Sequence, residues 1–254
     1  MCRAYSVGGL MALVLALFAA LAGGAAESGW IDLTGDKELT AWTPPTDGWV
    51  IAGGIALDPQ NPRRLAWKPG SGILVNGPKG SARNLVTRQK FTDLEAHVEF
   101  LIAKGSNSGV KFMGLYEIQI VDSNGRKELT GDSCGGIYPR AEEKPRYHHI
   151  DQGVPPKVNA AKPAGEWQTL DMVFQAPRFD AAGQKIANAR FVKVVLNGQV
   201  VQENVEVPWP TGAAWRQRQE VPAGPFLLQG DHGPVAFRNV RIRPWSAEAG
   251  KGKP

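Results

Sequence analysis

The chain has 254 residues, a formal net charge of +5, 43% hydrophobic residues and 21% charged residues. This balance is typical of a globular protein and excludes a disordered chain. The lysines and arginines do not gather into one run with interleaved aromatic residues, so we expect no nucleic-acid partner. The 30 glycines and 19 prolines, together with short alternating apolar segments, predict an all-β sandwich.

The first 26 residues are predicted to be a signal peptide. Arg3 gives a positive start, and the run from Leu10 to Ala22 is apolar but short for a membrane span. Small residues precede a predicted cleavage site after Ala26. We therefore expect an exported protein, periplasmic or secreted, with no membrane association after cleavage. An uncleaved N-terminal anchor is the alternative.

Short strands are predicted before residue 100. Two of them, at 49–51 and 54–57, are expected to be joined by a turn near Gly53 and Gly54. The segment Leu94–Phe100 alternates apolar and polar residues, so one set faces the core. His97 belongs to the outward set and is expected on a solvated face.

The segment SNSGVKFMGLYEIQIVDS, residues 106–123, predicts a hairpin. A loop at 113–115 places Lys111 opposite Glu117 and Phe112 opposite Tyr116, whereas a shift by one residue would mix polar and apolar side chains on each face. In this register Lys111, Glu117 and Gln119 share the face turned away from the core. That polar patch is either part of a site or an ordinary solvated sheet exterior.

A polar, Gly- and Pro-rich insertion follows at residues 124–162. Its length indicates a functional or disordered loop. Weak candidates for metal ligands are found here and just before it, namely Asp122, His148, His149 and Asp151. Their spacing matches no strong metal motif, so the sequence predicts no definite cofactor. A divalent metal ion is the candidate that these residues suit. Cys134, the thiol left after cleavage, is expected to be a small buried residue.

The second half returns to strands, including Trp167–Phe174. Asn197 and Gly198 lie between two alternating runs and predict a tight hairpin turn. The last strand is expected at 235–243. We therefore predict a single domain over residues 27–245, followed by a flexible basic tail at 246–254.

Six segments, read in order, carry a family resemblance. They are NSGVKF, YEIQIVDS, CGGIYPR, KPAGEWQTL, VVLNGQVV and GPFLLQGDHGPVAFRNVRIRP. Together they resemble the 3-keto-disaccharide hydrolase domain family, also described as 3-keto-glucoside lyases and hydratases, over Trp30 to Pro244. The resemblance implies a concanavalin-like jelly roll of two antiparallel sheets, with the ligand cleft and long loops on the concave side.

The resemblance also implies a reaction, the net hydrolysis of 3-keto-glycosides. A partner enzyme, a glucoside 3-dehydrogenase, first makes a ketone on the sugar of a monosaccharide glycoside or oligosaccharide. A base then removes the acidified proton next to that ketone, the enolate expels the aglycone, and water adds back. Retaining glycosidases instead need two carboxyl groups about 5–5.5 Å apart. Glu117 and Asp122 lie on opposite faces of one strand, roughly 16 Å apart at about 3.3 Å per residue.

Site residues follow from the resemblance and from residue chemistry. His232 in the GDHG turn is the first candidate base, because an unperturbed imidazole titrates near neutral pH; the alternative is a turn histidine bonded to backbone. Glu117 is the second candidate base, and Lys111 is the candidate cation for the enolate or merely a cross-strand ion-pair partner. Candidates for binding the sugar are Gln119, Tyr138, Trp167, Gln229 and Asp231.

A non-catalytic carbohydrate-binding module is the alternative function, since a fold alone does not establish activity. An enzyme should bring His232 and Glu117 into one cavity near a positive group. A binding module should instead show stacking aromatic side chains without a convergent base.

Overall fold

A computed structural model describes residue 1 and residues 29–35, 38–77 and 79–246. The predicted signal peptide, Met1 apart, and the predicted tail beyond Ser246 lie outside these ranges. Among the described residues, no helix is both long and apolar enough to cross a lipid bilayer.

The regular secondary structure of the described residues is almost entirely β-strand, with one short helix, α1 (Ala214–Gln217). In chain order its strands are β1 (Ile31–Asp32), β2 (Val50–Asp58), β3 (Asn61–Val75), β4 (Leu85–Phe91), β5 (Leu94–Ile102), β6 (Asn107–Phe112), β7 (Tyr116–Val121), β8 (Ala141–Glu142), β9 (His148–His149), β10 (Gln168–Gln175), β11 (Arg178–Phe179), β12 (Lys185–Ala187), β13 (Ala189–Leu196), β14 (Gln199–Val207), β15 (Gly224–Leu228) and β16 (Val235–Pro244).

Two antiparallel sheets form the body of the fold. The larger has the order β14-β13-β10-β5-β16-β3-β2, with β1 paired to β16, and the smaller has the order β4-β15-β6-β7. Two-stranded ribbons, β8–β9 and β11–β12, lie outside these sheets. The predicted all-β sandwich of two antiparallel sheets is confirmed.

The core lies between the two sheets and is rich in phenylalanine. The Phe112 ring of the smaller sheet stacks on Phe174 of the larger one at a centroid distance of 4.9 Å, and it meets Phe191 and Phe226 edge-on at 5.5 Å each. All four rings are fully buried. Truncating a buried ring of this kind costs about 3–5 kcal/mol, so the cluster fixes how the smaller sheet sits on the larger one.

The predicted hairpin at 106–123 is confirmed in its register. Lys111 pairs with Glu117 and Phe112 pairs with Tyr116 across β6 and β7. Met113 and Gly114 take positive φ angles of 57° and 68°, which lets the chain turn within three residues. Tyr116, Ile118 and Ile120 face the core as expected, so Lys111 and Glu117 must face away from it.

Two further predictions about turns have different outcomes. The Asn197-Gly198 hairpin joins β13 to β14 as expected. The predicted turn near Gly53 and Gly54 is wrong, because both residues lie inside the continuous strand β2. A Cβ at Gly70 would lie 2.4 Å from the Cα of Gly53. Glycine at this place allows two strands to approach closely and does not reverse the chain.

Candidate functional site

Lys111 and Glu117 form an ion pair on the outward face of the smaller sheet. Nζ of Lys111 lies 2.9 Å from Oε2 of Glu117. Register places Val86 of β4, Leu227 of β15, Lys111 of β6 and Glu117 of β7 in one row across the four strands. The Glu117 side chain is only 3% exposed, so this carboxylate is held by its cation in a largely desolvated position.

A histidine–aspartate pair stands beside this row, in the turn after β15. Nδ1 of His232 lies 2.5 Å from Oδ1 of Asp231. The hydrogen bond to Asp231 is the main cause that raises the pKa of His232, and the charge of Glu117 raises it further. The same hydrogen bond lowers the pKa of Asp231. The imidazole therefore has its other nitrogen, Nε2, available while Nδ1 is oriented by a carboxylate.

Two tyrosines and a histidine form a hydrogen-bonded chain at the opposite edge of the sheet. The Tyr147 hydroxyl lies 3.1 Å from the Tyr138 hydroxyl, which lies 2.9 Å from Nε2 of His149. Burial raises the pKa of both tyrosines, and the negative charge of Glu117 acts in the same direction on each. Both hydroxyls are therefore protonated at neutral pH, and each is able to donate a hydrogen bond.

Polar groups complete the cavity around the ion pair. Gln229 is only 7% exposed, and its Oε1 is buried without a hydrogen-bond partner. A buried unpaired acceptor is unusual in a folded protein, and the residue that carries it lines the cavity. Thr211 accepts a hydrogen bond from the Glu117 amide and donates one to the Leu115 carbonyl, which holds the 208–213 loop against the edge of β7.

The resulting cavity has a volume of about 370 Å³. This is near the small end of the range for small-molecule sites, about 300–1,000 Å³. Its wall includes two cationic side chains, one carboxylate and one imidazole, together with amides and hydroxyls: Asn84, Asn107, Lys111, Glu117, Tyr138, Tyr147, Thr211, Gln217, Arg218, Gln229 and His232.

Five of the eight residues predicted for catalysis and sugar binding meet in this cavity. Lys111, Glu117, Tyr138, Gln229 and His232 all line it. Asp231 binds His232 and lines a neighbouring cleft. His232 is close enough to Glu117 and Lys111 for both charges to affect its pKa, which Glu117 raises and Lys111 lowers. The polar face of the hairpin is therefore a buried cavity floor and not a solvated sheet exterior.

Two candidates for sugar binding lie elsewhere. Gln119 is 1% exposed, and the loop at 133–137 covers its strand through hydrogen bonds from Gly135 and to Gly136. Trp167 lies on the far side of the larger sheet, where the guanidinium of Arg238 sits 4.1 Å from its ring centroid. Its ring packs there with a small apolar cluster that includes Ile73 and Val75. Neither side chain lines the cavity.

The four candidate metal ligands are also dispersed. Asp122 accepts a hydrogen bond from the Gly105 amide, and Asp151 binds Arg140 at 2.8 Å. His148 contacts the Arg146 carbonyl, whereas His149 belongs to the tyrosine chain. Within the described ranges, no group of three or more His, Cys, Asp or Glu residues is arranged to hold a metal ion.

The sequence did not single out Tyr147, Thr211, Asn84 or Arg218. Tyr147 immediately precedes the adjacent histidines, which was the available signal for it. The other three lie in loops and at a strand end, and only the tertiary arrangement brings them to the hairpin. Cys134 is fully buried, as expected, and burial raises the pKa of its thiol to about 12, so it has no part in the cavity.

The solved structures that are similar to this chain include two from Parabacteroides distasonis, both provisionally described as glycosyl hydrolases. The first is 25% identical with a TM-score of 0.60, covering 86% of this chain and 84% of that one. The second is 21% identical with a TM-score of 0.52, covering 85% of this chain and 99% of that one, and it shows the fold alone.

Comparison of sequences gives a family but no curated relative. No curated protein matches the chain significantly. The family model described as the 3-keto-alpha-glucoside-1,2-lyase-like domain matches residues 29–243, which include both sheets and every residue of the cavity wall. The chain therefore belongs to the family of 3-keto-alpha-glucoside-1,2-lyase-like domains.

Proposed function

We propose that the protein cleaves 3-keto-glycosides by elimination followed by hydration, with net hydrolysis of the glycosidic bond. Membership in the family supports a carbohydrate-active enzyme. The keto-sugar substrate is the finer part of the proposal. It rests on what the cavity side chains are suited to do.

The observation that carries the proposal is that a single carboxylate is found among the described residues that line the cavity. Among the described residues that line it, Glu117 is the one carboxylate, and it is tied to Lys111 at 2.9 Å. A two-carboxylate glycosidase needs a second acid facing the first across the glycosidic bond. The cavity instead offers an imidazole, a cation and hydroxyls, which suit proton abstraction beside a ketone.

His232 is the proposed base. Asp231 orients its imidazole, so that Nε2 accepts the proton from the carbon between the ketone and the anomeric carbon. Lys111 neutralises the enolate oxygen that forms, and Glu117 fixes the position of Lys111. A preorganised positive group of this kind is typically the largest single contribution to stabilising a developing oxyanion.

Tyr147 is the proposed acid that protonates the leaving oxygen. Hydroxyl hydrogens rotate, so the chain from His149 through Tyr138 to Tyr147 is able to run toward the cavity. His149 is exposed to solvent. The chain therefore links the cavity to bulk water and replaces the proton that Tyr147 gives up.

The steps balance without a further reagent. The carbon–hydrogen bond breaks as His232 takes the proton, and the electron pair forms the enolate. The enolate then forms a double bond to the anomeric carbon as the bond to the aglycone oxygen breaks, and Tyr147 supplies the proton to that oxygen. Water then adds its hydroxyl group to the anomeric carbon and loses a proton to solvent, while the protonated His232, whose N–H exchanges with solvent, returns a proton to the carbon next to the ketone. This gives the free 3-keto-sugar and the neutral imidazole. The ketone is made beforehand by a separate oxidoreductase, a glucoside 3-dehydrogenase, which we propose as the pathway partner.

We further propose that the reaction takes place outside the cytoplasm, because the first 26 residues have the charge and apolar pattern of a signal peptide.

The deciding experiment is turnover of 3-keto-trehalose and 3-keto-aryl-glucosides in D₂O, with and without a chelator. Elimination predicts deuterium on the carbon next to the ketone in the product, above the level of exchange without enzyme, and ultraviolet absorbance from a conjugated enone. The chelator arm measures whether a metal ion takes part in addition to Lys111.

A matched pair of variants assigns the base. His232→Asn should lower kcat by about 100-fold or more, the usual size of a general-base effect. His97→Asn is the control, because His97 lies on the larger sheet and binds Asp171 at 2.6 Å through Nδ1, a bond that the asparagine amide is able to replace. Full turnover in His232→Asn would remove histidine from the mechanism. Absence of turnover with every keto-sugar, together with binding of sugars, would favour the carbohydrate-binding alternative.

A further inference from the structure

We propose that the open cleft beside β4 binds a second glycosyl unit of the substrate, so that the enzyme acts on oligosaccharides in preference to simple glycosides. This inference rests on the proposed sugar chemistry of the neighbouring cavity. It concerns a different set of side chains, however, and its binding test does not require turnover.

The cleft adjoins the cavity directly. Asn84 lines both of them, and Asp231 lines the cleft while its neighbour His232 lines the cavity. The cleft lies at the β4 edge of the smaller sheet, where Thr43 donates a backbone hydrogen bond to Val86. A ligand seated over the Lys111–Glu117 row therefore meets the cleft where it passes His232.

The cavity and the cleft differ in volume. The cavity measures about 370 Å³ and the cleft about 980 Å³. Small-molecule sites span about 300–1,000 Å³. The cavity therefore has room for one sugar ring, and the larger cleft has room for at least one more ring.

The side chains of the cleft suit a polyhydroxylated ligand. Asn84 uses Oδ1 to accept the Gly230 amide at 2.9 Å, which leaves its Nδ2 group to donate. Arg83 and Asp47 form an exposed ion pair at 3.7 Å, and Ser81 and Lys79 supply a hydroxyl and an ammonium group. No aromatic ring is found among the described residues that line the cleft. Hydrogen bonding, and not stacking on a flat aglycone, is therefore the interaction that this surface offers.

The walls of the cleft are held in place by buried hydrogen bonds. The indole Nε1 of Trp49 donates to the Arg83 carbonyl at 2.7 Å. Nδ2 of Asn76 donates to the carbonyls of Gly230 and Gly233 at 2.9 and 2.6 Å, and its Oδ1 accepts the Val235 amide. These bonds tie the cleft to the turn that carries Asp231 and His232, so the two spaces keep a fixed mutual position.

The test measures binding of unoxidised sugars by nuclear magnetic resonance. Glucose, maltotriose and cellotriose are titrated into the uniformly ¹⁵N-labelled protein. We expect one trisaccharide to bind at least tenfold more tightly than glucose and to shift the backbone amides of residues 79–84. Equal affinity for all three sugars, undisturbed amides at 79–84, or no binding of any sugar would overturn the proposal.

A variant that fills the cleft adds a second readout. Ser81→Trp should remove the advantage of the trisaccharide and leave the binding of glucose unchanged. Ser71→Trp makes the same exchange at an exposed position of β3 that does not line the cleft, and it should behave as the wild-type protein. An unchanged trisaccharide affinity in Ser81→Trp would contradict the assignment.

Turnover separates the two proposals. Ser81→Trp should lower kcat/KM for a 3-keto-disaccharide at least tenfold and leave methyl 3-keto-glucoside unaffected. If wild-type protein turns over no keto-sugar while the amides at 79–84 still respond to trisaccharide, the proposed reaction fails and the binding site stands. If both keto-sugars react equally well in wild type and Ser81→Trp, the reaction stands and the second-unit site fails.

Discussion

The carboxylate of Glu117 lies directly over Gly109 of the neighbouring strand. A Cβ at position 109 would lie 2.2 Å from Oε1 of Glu117 and 2.9 Å from its carboxyl carbon. These distances are shorter than any real contact, so the absence of a side chain on Gly109 creates the space that the carboxylate occupies.

Gly109→Ala should therefore impair activity more than it impairs folding. The methyl group displaces the end of the Glu117 side chain but leaves both members of the ion pair in the protein, so it should cost less stability than removing Lys111, while it moves the partner of Lys111. We expect kcat to fall by roughly 10- to 100-fold, since displacing a catalytic group by about 1 Å has effects of that order. Kinetic assay and thermal unfolding check this.

Gly54→Ala is the matched control for that exchange. Gly54 also lies in a strand, and a Cβ there meets nothing within 4 Å. If the free energy of unfolding of Gly109→Ala falls by as much as its activation free energy rises, the exchange has moved the whole hairpin and not only the carboxylate.

The Lys111–Glu117 pair should behave as a buried unit. Lys111→Met leaves the carboxylate desolvated without its cation, and we expect unfolding free energy to fall by about 3 kcal/mol. Glu117→Gln in the same chain removes the unpaired charge, so the double variant should recover most of that loss. Urea unfolding of the four proteins gives the coupling energy. Simple additivity of the two single changes would contradict a direct interaction.

The pH dependence of kcat/KM should report His232. The hydrogen bond to Asp231 raises its pKa above the ordinary value of 6.5 by stabilising the protonated ring. A base must be unprotonated, so activity should rise with pH through a midpoint above 6.5. Asp231→Asn should move this midpoint downward.

The contribution of His232 to stability should fall as pH rises, which is opposite in sign to its effect on activity. Because its pKa in the folded protein is raised, the interaction with Asp231 stabilises the fold below pH 6.5 and is lost as pH rises through the raised pKa. The His232 and Asp231 side chains are 55% and 44% exposed, so solvent screens the pair and the change in stability should be small. If the midpoint of the rise of kcat/KM with pH is the same in Asp231→Asn as in the wild-type protein, the His232–Asp231 pair does not control the pH dependence of activity.

Tyr147→Phe should make the rate depend more strongly on the pKa of the leaving group, because the variant lacks the proposed acid. Protonation matters most for a poor leaving group, so an alkyl 3-keto-glycoside should slow by about 100-fold and an activated aryl 3-keto-glycoside by much less. Rates measured across a series of aglycones of known pKa check this. A uniform reduction over the whole series would indicate that Tyr147 only shapes the cavity.

Trp167→Ala should affect stability and not sugar binding. The ring packs under Arg238 on the far side of the larger sheet. It is half-buried, so its loss should cost about 2 kcal/mol, less than the about 3–5 kcal/mol for a fully buried tryptophan. KM should stay within about twofold. A raised KM with unchanged melting temperature would place Trp167 in a binding site after all.

Local patterns predicted the fold and the floor of the site well. Alternation in 106–123 gave the register that places Lys111 against Glu117, because a shift by one residue would bury polar groups. The Asn-Gly turn was equally local. His232 was identified from residue chemistry and the resemblance of its turn, and the structure then brought it into the same cavity as Glu117.

Contacts between distant segments were not predictable in the same way. Gly53 resembles a turn residue in sequence, yet its purpose is the close approach of Gly70, 17 positions later. Trp167 is a plausible stacking residue until the topology places it on the other sheet. Gln119 shares a strand face with Glu117, but the loop at 133–137 covers it, and no periodicity in the strand itself signals that cover.

The last two strands of the described part of the chain lie in the interior of the two sheets. β15 lies between β4 and β6, and β16 lies between β5 and β3. A chain that ends before Gly224 therefore lacks an inner strand in each layer and leaves backbone amides and carbonyls unpaired on both flanks of the two gaps. We expect nonsense truncations before Gly224 to give aggregating, protease-sensitive products with no residual catalysis, because neither sheet is continuous until β15 and β16 have been made.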